Sequence, residues 1–273
     1  MSVISEAPKL AAFVRRDFRI AMSYRMGALG GLIAILTQIV AFSLLGKLVD
    51  PARMPLFDGT RATYVEFVVI GICLNLTVLM VLHELARAVR TEQLTGTLES
   101  LLVTPTRIGT VQVGSTLFNL LYIPIQLFLF LAVIAVVFGL DLHTAGILPA
   151  TVLMLEFLPF VWGLGLIAAG AVLTFRRGTG AIGAGVALVG LGSGAFFPLS
   201  VLPAWLAHIA AYNPLAIVLS GVRDALIGGA GWQALATPML ELLPLAVASV
   251  SAGMFLFRFF LRRERRLGTL GLY

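Results

Sequence analysis

The chain has 273 residues, 59% of them hydrophobic and 12% charged, about half the charged share of an ordinary soluble domain. Its longest polar interruption, residues 84–107, is too short to fold as a soluble domain of its own. A lone cysteine, Cys73, excludes an intramolecular disulfide, and the three histidines (His83, His143 and His208) lack metal-ligand spacing.

A membrane-crossing helix needs roughly 20 mostly apolar residues. Six stretches meet that need, at 27–46, 64–83, 110–139, 147–175, 180–198 and 239–261. The prediction is therefore an all-α, polytopic membrane protein with a single transmembrane domain over 1–273. Residues 1–26 form a cytoplasmic interface helix, 27–261 a six-span bundle and 262–273 a cytoplasmic tail.

Ahead of the first span, residues 8–24 read as an amphipathic helix. Phe13, Val14, Phe18, Ala21 and Met22 share one face, while Arg15, Arg16 and Arg19 point toward another, the pattern of a helix lying in the membrane interface. The apolar run that follows is longer than a signal-peptide core and has no small-residue cleavage site after it, so span 1 is expected to stay in the mature protein. Gly27 and Gly31 in span 1, and Gly190 and Gly194 in span 5, make small-xxx-small pairs that suit close packing within the subunit. Residues 47–63 form an external loop marked by Pro51, Pro55 and Gly59.

In the interruption after span 2, Leu94, Leu98, Leu101 and Leu102 recur at helical spacing, with Glu92, Gln93, Thr97 and Ser100 on polar faces. Pro105 drives Thr104 out of the helical region and ends that helix. Pro124 and Pro159 are predicted to kink or break the long spans 3 and 4. Arg176, Arg177 and Gly178 make a short basic turn. After span 5, Phe196-Phe197-Pro198, Leu202-Pro203-Ala204-Trp205 and Tyr212-Asn213-Pro214-Leu215 are too apolar for a loop and too broken by proline for a span. A pair of short re-entrant helices is expected between spans 5 and 6.

The net charge of +6 is unevenly placed. All but four of the 19 Lys and Arg fall on the side of the termini, leaving Lys47, Arg53, Arg61 and Arg223 opposite. Loops rich in Lys and Arg stay cytosolic, so both termini are predicted to be cytoplasmic. The basic charge sets topology, and no nucleic-acid partner is expected.

Two stretches resemble ABC-2 type permeases, the membrane subunits of ABC exporters. The first is Glu92, Gly96-Thr97-Leu98-Glu99, Leu101-Leu102 and Thr104-Pro105, similar to that family's coupling helix. The second is Phe197-Pro198, the Leu202-Pro203 stretch, Asn213-Pro214 and Arg223, in the expected order. The Arg-rich ending with Gly268-Thr269-Leu270 and Tyr273 is similar to the family's short cytosolic tail. The resemblance implies that Glu92, Gln93, Thr97, Leu98, Glu99, Leu102, Thr104 and Pro105 contact a cytosolic ATPase, with Arg15 and Arg16 contributing from the interface helix. It implies a multi-pass protein of the cell membrane that exports a drug-like hydrophobic molecule, a lipid or a lipid-linked compound.

The drive must lie elsewhere. The chain has no G-x-x-x-x-G-K-[ST], and its Gly46-Lys47 pair is followed by Leu48. No cofactor is expected in this chain; ATP and Mg²⁺ belong to two copies of a separate ATPase subunit. Two permease copies are then needed, as a homodimer or with a related permease, in contact with membrane lipids.

No catalytic residue is expected: there is no paired intramembrane carboxylate, no Ser/His/Asp grouping and no H-E-x-x-H. The rival reading is an ion- or proton-coupled secondary transporter using Glu156, the acid well inside a span. Candidates for the substrate pathway are Gln38, Asn75, Thr77, Glu156, Phe196 and Phe197, the two phenylalanines as an external gate. Interhelical hydrogen bonding or ordinary packing accounts for the same residues equally well.

Overall fold

A computed structural model describes residues 7–23, 25–46, 48, 50, 54–94, 108–175, 187 and 189–267. Eight α-helices are described: α1 (Ala7–Ser23), α2 (Arg25–Gly46), α3 (Tyr64–Leu94), α4 (Ile108–Phe138), α5 (Ile147–Phe175), α6 (Ala204–Ala211), α7 (Pro214–Leu226) and α8 (Trp232–Leu267). A two-residue hairpin, β1 (Leu56–Phe57) and β2 (Thr60–Arg61), precedes α3, with Leu56 opposite Arg61 and Phe57 opposite Thr60.

Local chemistry explains several of these boundaries. Asp58 and Gly59 carry φ of 44° and 83°, the left-handed pair that a tight hairpin turn requires and that Asp-Gly supplies. Thr63 and Glu66 form a reciprocal capping box: the Thr63 N–H donates to Glu66 Oε2 (2.8 Å) and the Glu66 N–H to Thr63 Oγ1 (3.3 Å). At the start of α7, Asn213 Oδ1 accepts from the Leu215 N–H at 3.0 Å, with Pro214 in the first turn, where its missing N–H costs nothing.

Among the described residues, three helical stretches are long and apolar enough to cross a membrane: Tyr64–Leu85, Thr144–Val172 and Trp232–Glu264. A fourth is present if α6 and α7, bent by 80° at their junction, are counted as one. Shorter apolar helical stretches occupy Ile33–Gly46 and Ile125–Phe138. Residues 176–186 and 188, which carry the basic turn and much of the predicted fifth span, lie outside the described residues.

The expected breaks at Pro124 and Pro159 do not occur, since α4 and α5 run as single helices through both positions. A proline removes one helical donor, and neighbouring helices can take up the freed backbone groups. The carbonyl that Pro159 frees is that of Leu155; separately, the Ser249 hydroxyl of α8 donates to the Phe160 carbonyl at 2.8 Å and ties the two helices together there.

Helix α3 is central, with Phe67, Ile70, Ile72 and Leu85 almost fully buried. A Cβ on Gly165 of α5 would strike the Leu85 side chain, and Gly163 lies against Ser249 and Gly253 of α8. Thr174 near the end of α5 donates to Glu264 near the end of α8 at 3.1 Å. These contacts set α3, α5 and α8 parallel, with their C-terminal ends together. At the opposite end the His143 N–H, between α4 and α5, donates to the Leu226 carbonyl of α7 at 2.8 Å. The outward faces are apolar, as at Ile33, Val136, Leu240 and Phe255, a surface that needs lipid or a partner to cover it.

Candidate functional site

At the C-terminal end of α3 the helix does not stop where the apolar stretch does. It continues beyond Leu85 for about two more turns, to Leu94. Glu92 and Gln93 therefore lie in the last turn of a helix whose other half is buried in the bundle. Glu84, half-buried, and Arg87, exposed one turn further on, approach to 3.5 Å. Thr97, Leu98, Glu99, Leu102, Thr104 and Pro105 fall in 95–107, outside the described residues.

Helix α1 packs beside the beginning of α4. The Phe18 ring meets Phe118 edge-on at 6.4 Å and 75°, and Phe118 stacks on Tyr122 at 5.3 Å. A Cβ on Gly114 would collide with the Phe13 ring, so that glycine is the seat for α1. Arg16 lies over Phe13 at 5.2 Å and pairs with Asp17 at 2.8 Å. Arg15, Arg16 and Arg19 are exposed while Phe13 and Val14 are half-buried, as expected, but Phe18, expected on the same apolar face, is 53% exposed.

The opposite end of the bundle is built around Arg223, which is 3% exposed. Its Nη1 donates to the Gly194 carbonyl at 3.0 Å, and its Nη2 to the Phe67 carbonyl at 2.8 Å and the Ala195 carbonyl at 3.3 Å. The guanidinium sits 3.5 Å from the centroid of the Phe67 ring, a desolvated cation–π contact. One side chain thus joins the first turns of α3, the turn at Gly194 and Ala195, which falls inside the stretch 180–198 expected as the fifth span, and α7. Gly71 is essential to the same junction, because any Cβ there would overlap the Ala195 backbone. Asp224, next in sequence, accepts from the Asp58 backbone N–H and the Ser220 hydroxyl, which fastens the hairpin to α7.

The proposed pathway residues do not converge on one channel within the described chain. Thr77 donates to the Cys73 carbonyl of its own helix at 2.9 Å. It lines, with Ile35, Cys73, Gln126 and Phe130, a cavity of about 10 Å³, room for one water at most. Gln38 is half-buried in α2. The Asn75 amide nitrogen is buried, has no partner among the described residues, and faces Gly190. Gly190 therefore packs within the subunit, whereas Gly194 (φ 74°) is a turn residue and forms no helix-packing pair with it. Glu156 is half-buried in α5. Phe196 stacks on Phe42 at 5.2 Å and 23°, and its carbonyl accepts from the Tyr64 hydroxyl at 3.1 Å. Phe197 is half-buried in the same turn. Among the described residues no group of three His, Cys, Asp or Glu is placed to hold a metal.

Sequence reasoning treated Arg223 as an external cation and missed its burial. The signal was there: it follows Leu219 by four residues and Ala216 by seven, on the stripe that faces the core. Glu264, 6% exposed and held by Thr174 and by Arg263 at 3.2 Å, was missed for the same reason.

Long apolar helices, a proline-broken pair at one end and a helix prolonged past its apolar stretch at the other define a helical membrane protein. The sequence matches the family described as ABC-2 type transporter over residues 9–227, from α1 to just beyond α7. The chain belongs to that family. It is a membrane permease component of an ABC transporter, not itself catalytic, and the family implies association with an ABC ATPase. No curated protein matches the sequence.

Proposed function

We propose that the chain is the membrane subunit of an ATP-driven exporter in the cell membrane, with six spans and both termini cytosolic. Two copies assemble as a homodimer on two copies of a separate ATPase, which bind the ATP and Mg²⁺. The cargo is a hydrophobic small molecule, a lipid or a lipid-linked compound taken from the cytoplasm or inner leaflet. The single observation that carries the reading is the unbroken course of α3 from Tyr64 to Leu94. At 1.5 Å per residue its 31 residues extend about 46 Å, so displacement at Glu92 reaches the Arg223 junction without a hinge between.

In this mechanism, closure of the ATPase pair pushes on 84–107. Glu92, Gln93, Thr97 and Glu99 supply polar contacts, and Leu98 and Leu102 the apolar anchors. Thr104 and Pro105 end the contact helix. Arg15 and Arg16, on the exposed face of α1, flank it. The resulting rigid-body tilt reshapes the path between the two protomers, with Gln38, Asn75, Thr77, Glu156, Phe196 and Phe197 as the polar and aromatic residues offered to cargo.

The test is the double variant Glu92→Lys, Glu99→Lys in the reconstituted complex. Membrane insertion should be unchanged, while transport-coupled ATP hydrolysis is lost. Full coupling in that variant removes the assigned role of 84–107. Glu156→Gln serves as the companion: an ATP-driven exporter keeps its transport, whereas a proton-coupled carrier loses it.

A further inference from the structure

Along α8 the outward face changes character at one level. Leu240, Val247, Phe255 and Phe259 are all more than half exposed, and they follow one another at helical spacing. The same stripe then continues as Arg262 and Arg266, which with Arg263 and Phe259 line a cleft of about 430 Å³. The four described lining residues all belong to α8, so the cleft is an open recess along one helix face. Arg262 and Arg266 are one turn apart, an unfavourable like-charge spacing unless an anion lies between them. The nearest acid does not fill that place. Glu264 is turned inward, is 6% exposed, and is held by Thr174 and Arg263. Among the described residues no acid pairs with Arg262 or Arg266.

We propose that this cleft binds the phosphate headgroup of an anionic phospholipid, its acyl chains lying on the apolar stripe below. With Phe259, the last apolar residue of the stripe, taken as the hydrocarbon edge, depth favours a lipid over a protein partner. From Phe259, Arg262 is about 4.5 Å and Arg266 about 10 Å further along the axis. The polar zone of one leaflet is roughly 5–8 Å thick, and arginine reaches back toward it. The proposal rests on the reading of α8 as a span whose C-terminal end is cytosolic.

The experiment uses the full chain in nanodiscs of phosphatidylglycerol and phosphatidylcholine in known ratio, with the lipid retained per protomer measured after exchange into detergent. The wild type should retain phosphatidylglycerol in preference by roughly 30-fold, equivalent to about 2 kcal/mol for two surface arginines. Arg262→Gln with Arg266→Gln should abolish the preference, and Arg262→Lys with Arg266→Lys should restore most of it. Arg19→Gln on α1 should leave it intact. Each variant is first shown to elute as the wild type does in gel filtration, so misfolding is not read as lost binding. Equal lipid ratios in wild type and the double glutamine variant overturn the proposal. So does displacement of the retained lipid by millimolar inorganic phosphate alone, which identifies a free-anion site. Loss of ATPase co-purification with an unchanged lipid ratio assigns the cleft to the protein partner and likewise overturns it. Protease access to a C-terminal tag in sealed right-side-out vesicles tests the topology separately: an external tag refutes the orientation while leaving headgroup binding to be read from the lipid ratio.

Discussion

Replacing Arg223 by methionine keeps an unbranched apolar stem that reaches about as far as Nε and removes the guanidinium with its charge and donors. Two effects oppose each other. Burying a cation is costly, and replacing a buried ion by a well-packed apolar residue is sometimes neutral or stabilising. Against that, the Gly194 and Ala195 carbonyls lie in a turn, and Arg223 is the donor that reaches them. Hydrogen bonds to a charged group are worth about 1.5–3 kcal/mol, falling to about 0.6–1.7 between helices in a membrane. The Phe67 carbonyl belongs to α3 and is the least dependent of the three. Two orphaned carbonyls at about 1 kcal/mol each and a desolvated cation–π contact of about 2 kcal/mol give a loss of roughly 2–4 kcal/mol. Lysine keeps the charge but not the fork, so Arg223→Lys should lose about half as much. Steric-trap unfolding in bicelles measures these differences directly, with the expected order wild type, lysine, methionine. A methionine variant as stable as the wild type refutes the structural assignment.

Two further variants probe the same packing. Gly71→Val places side-chain atoms where the Ala195 backbone lies and should cost about 1–3 kcal/mol or more by overpacking; wild-type unfolding in the same assay contradicts the close approach. Glu264→Gln keeps an acceptor for the Thr174 hydroxyl and should stay within about 0.5 kcal/mol of the wild type, while Glu264→Leu should lose about 1–2 kcal/mol. A glutamine variant as damaged as the leucine one shows that the charge, not the acceptor, matters there.

The helices, the Phe13/Arg15 division of α1 and the broken α6–α7 pair were legible because each rests on a local signal: apolar run length, helical spacing of Phe13 against Arg15, and Pro203 and Pro214. The start of α3 at Tyr64 was read from the apolar run alone, and the hairpin at Asp58-Gly59, though equally legible, was read only as loop. Arg223 was harder. Whether an arginine is buried depends on which carbonyls another part of the chain brings to it, and Phe67 lies 156 residues away. Of the kink or break expected at Pro124 and Pro159, the break does not occur, since a proline weakens a helix locally while helix packing decides whether it breaks. Gly194 matched a small-residue spacing by chance, and only its φ shows that it turns the chain.

The outer junction also bears on how the proposed coupling moves the protein. Arg223 ties α3 to α7 through Phe67. Gly221 of α7 seats Leu153 of α5 and Pro238 of α8, and α5 and α8 close on each other at Gly163, Gly253 and Glu264. From Phe67 to Glu92 along α3 is about 37 Å of continuous helix. A push at Glu92 therefore meets no internal joint, and α3, α5, α7 and α8 must move together. Helix α2 is less enclosed: Ile33, Val40 and Leu44 are about half exposed or more, and it reaches the turn at Phe196 through Phe42. A displacement that cannot be absorbed inside the packed group must appear at its boundary. In the proposed exporter that places the opening between two protomers, not through the middle of one.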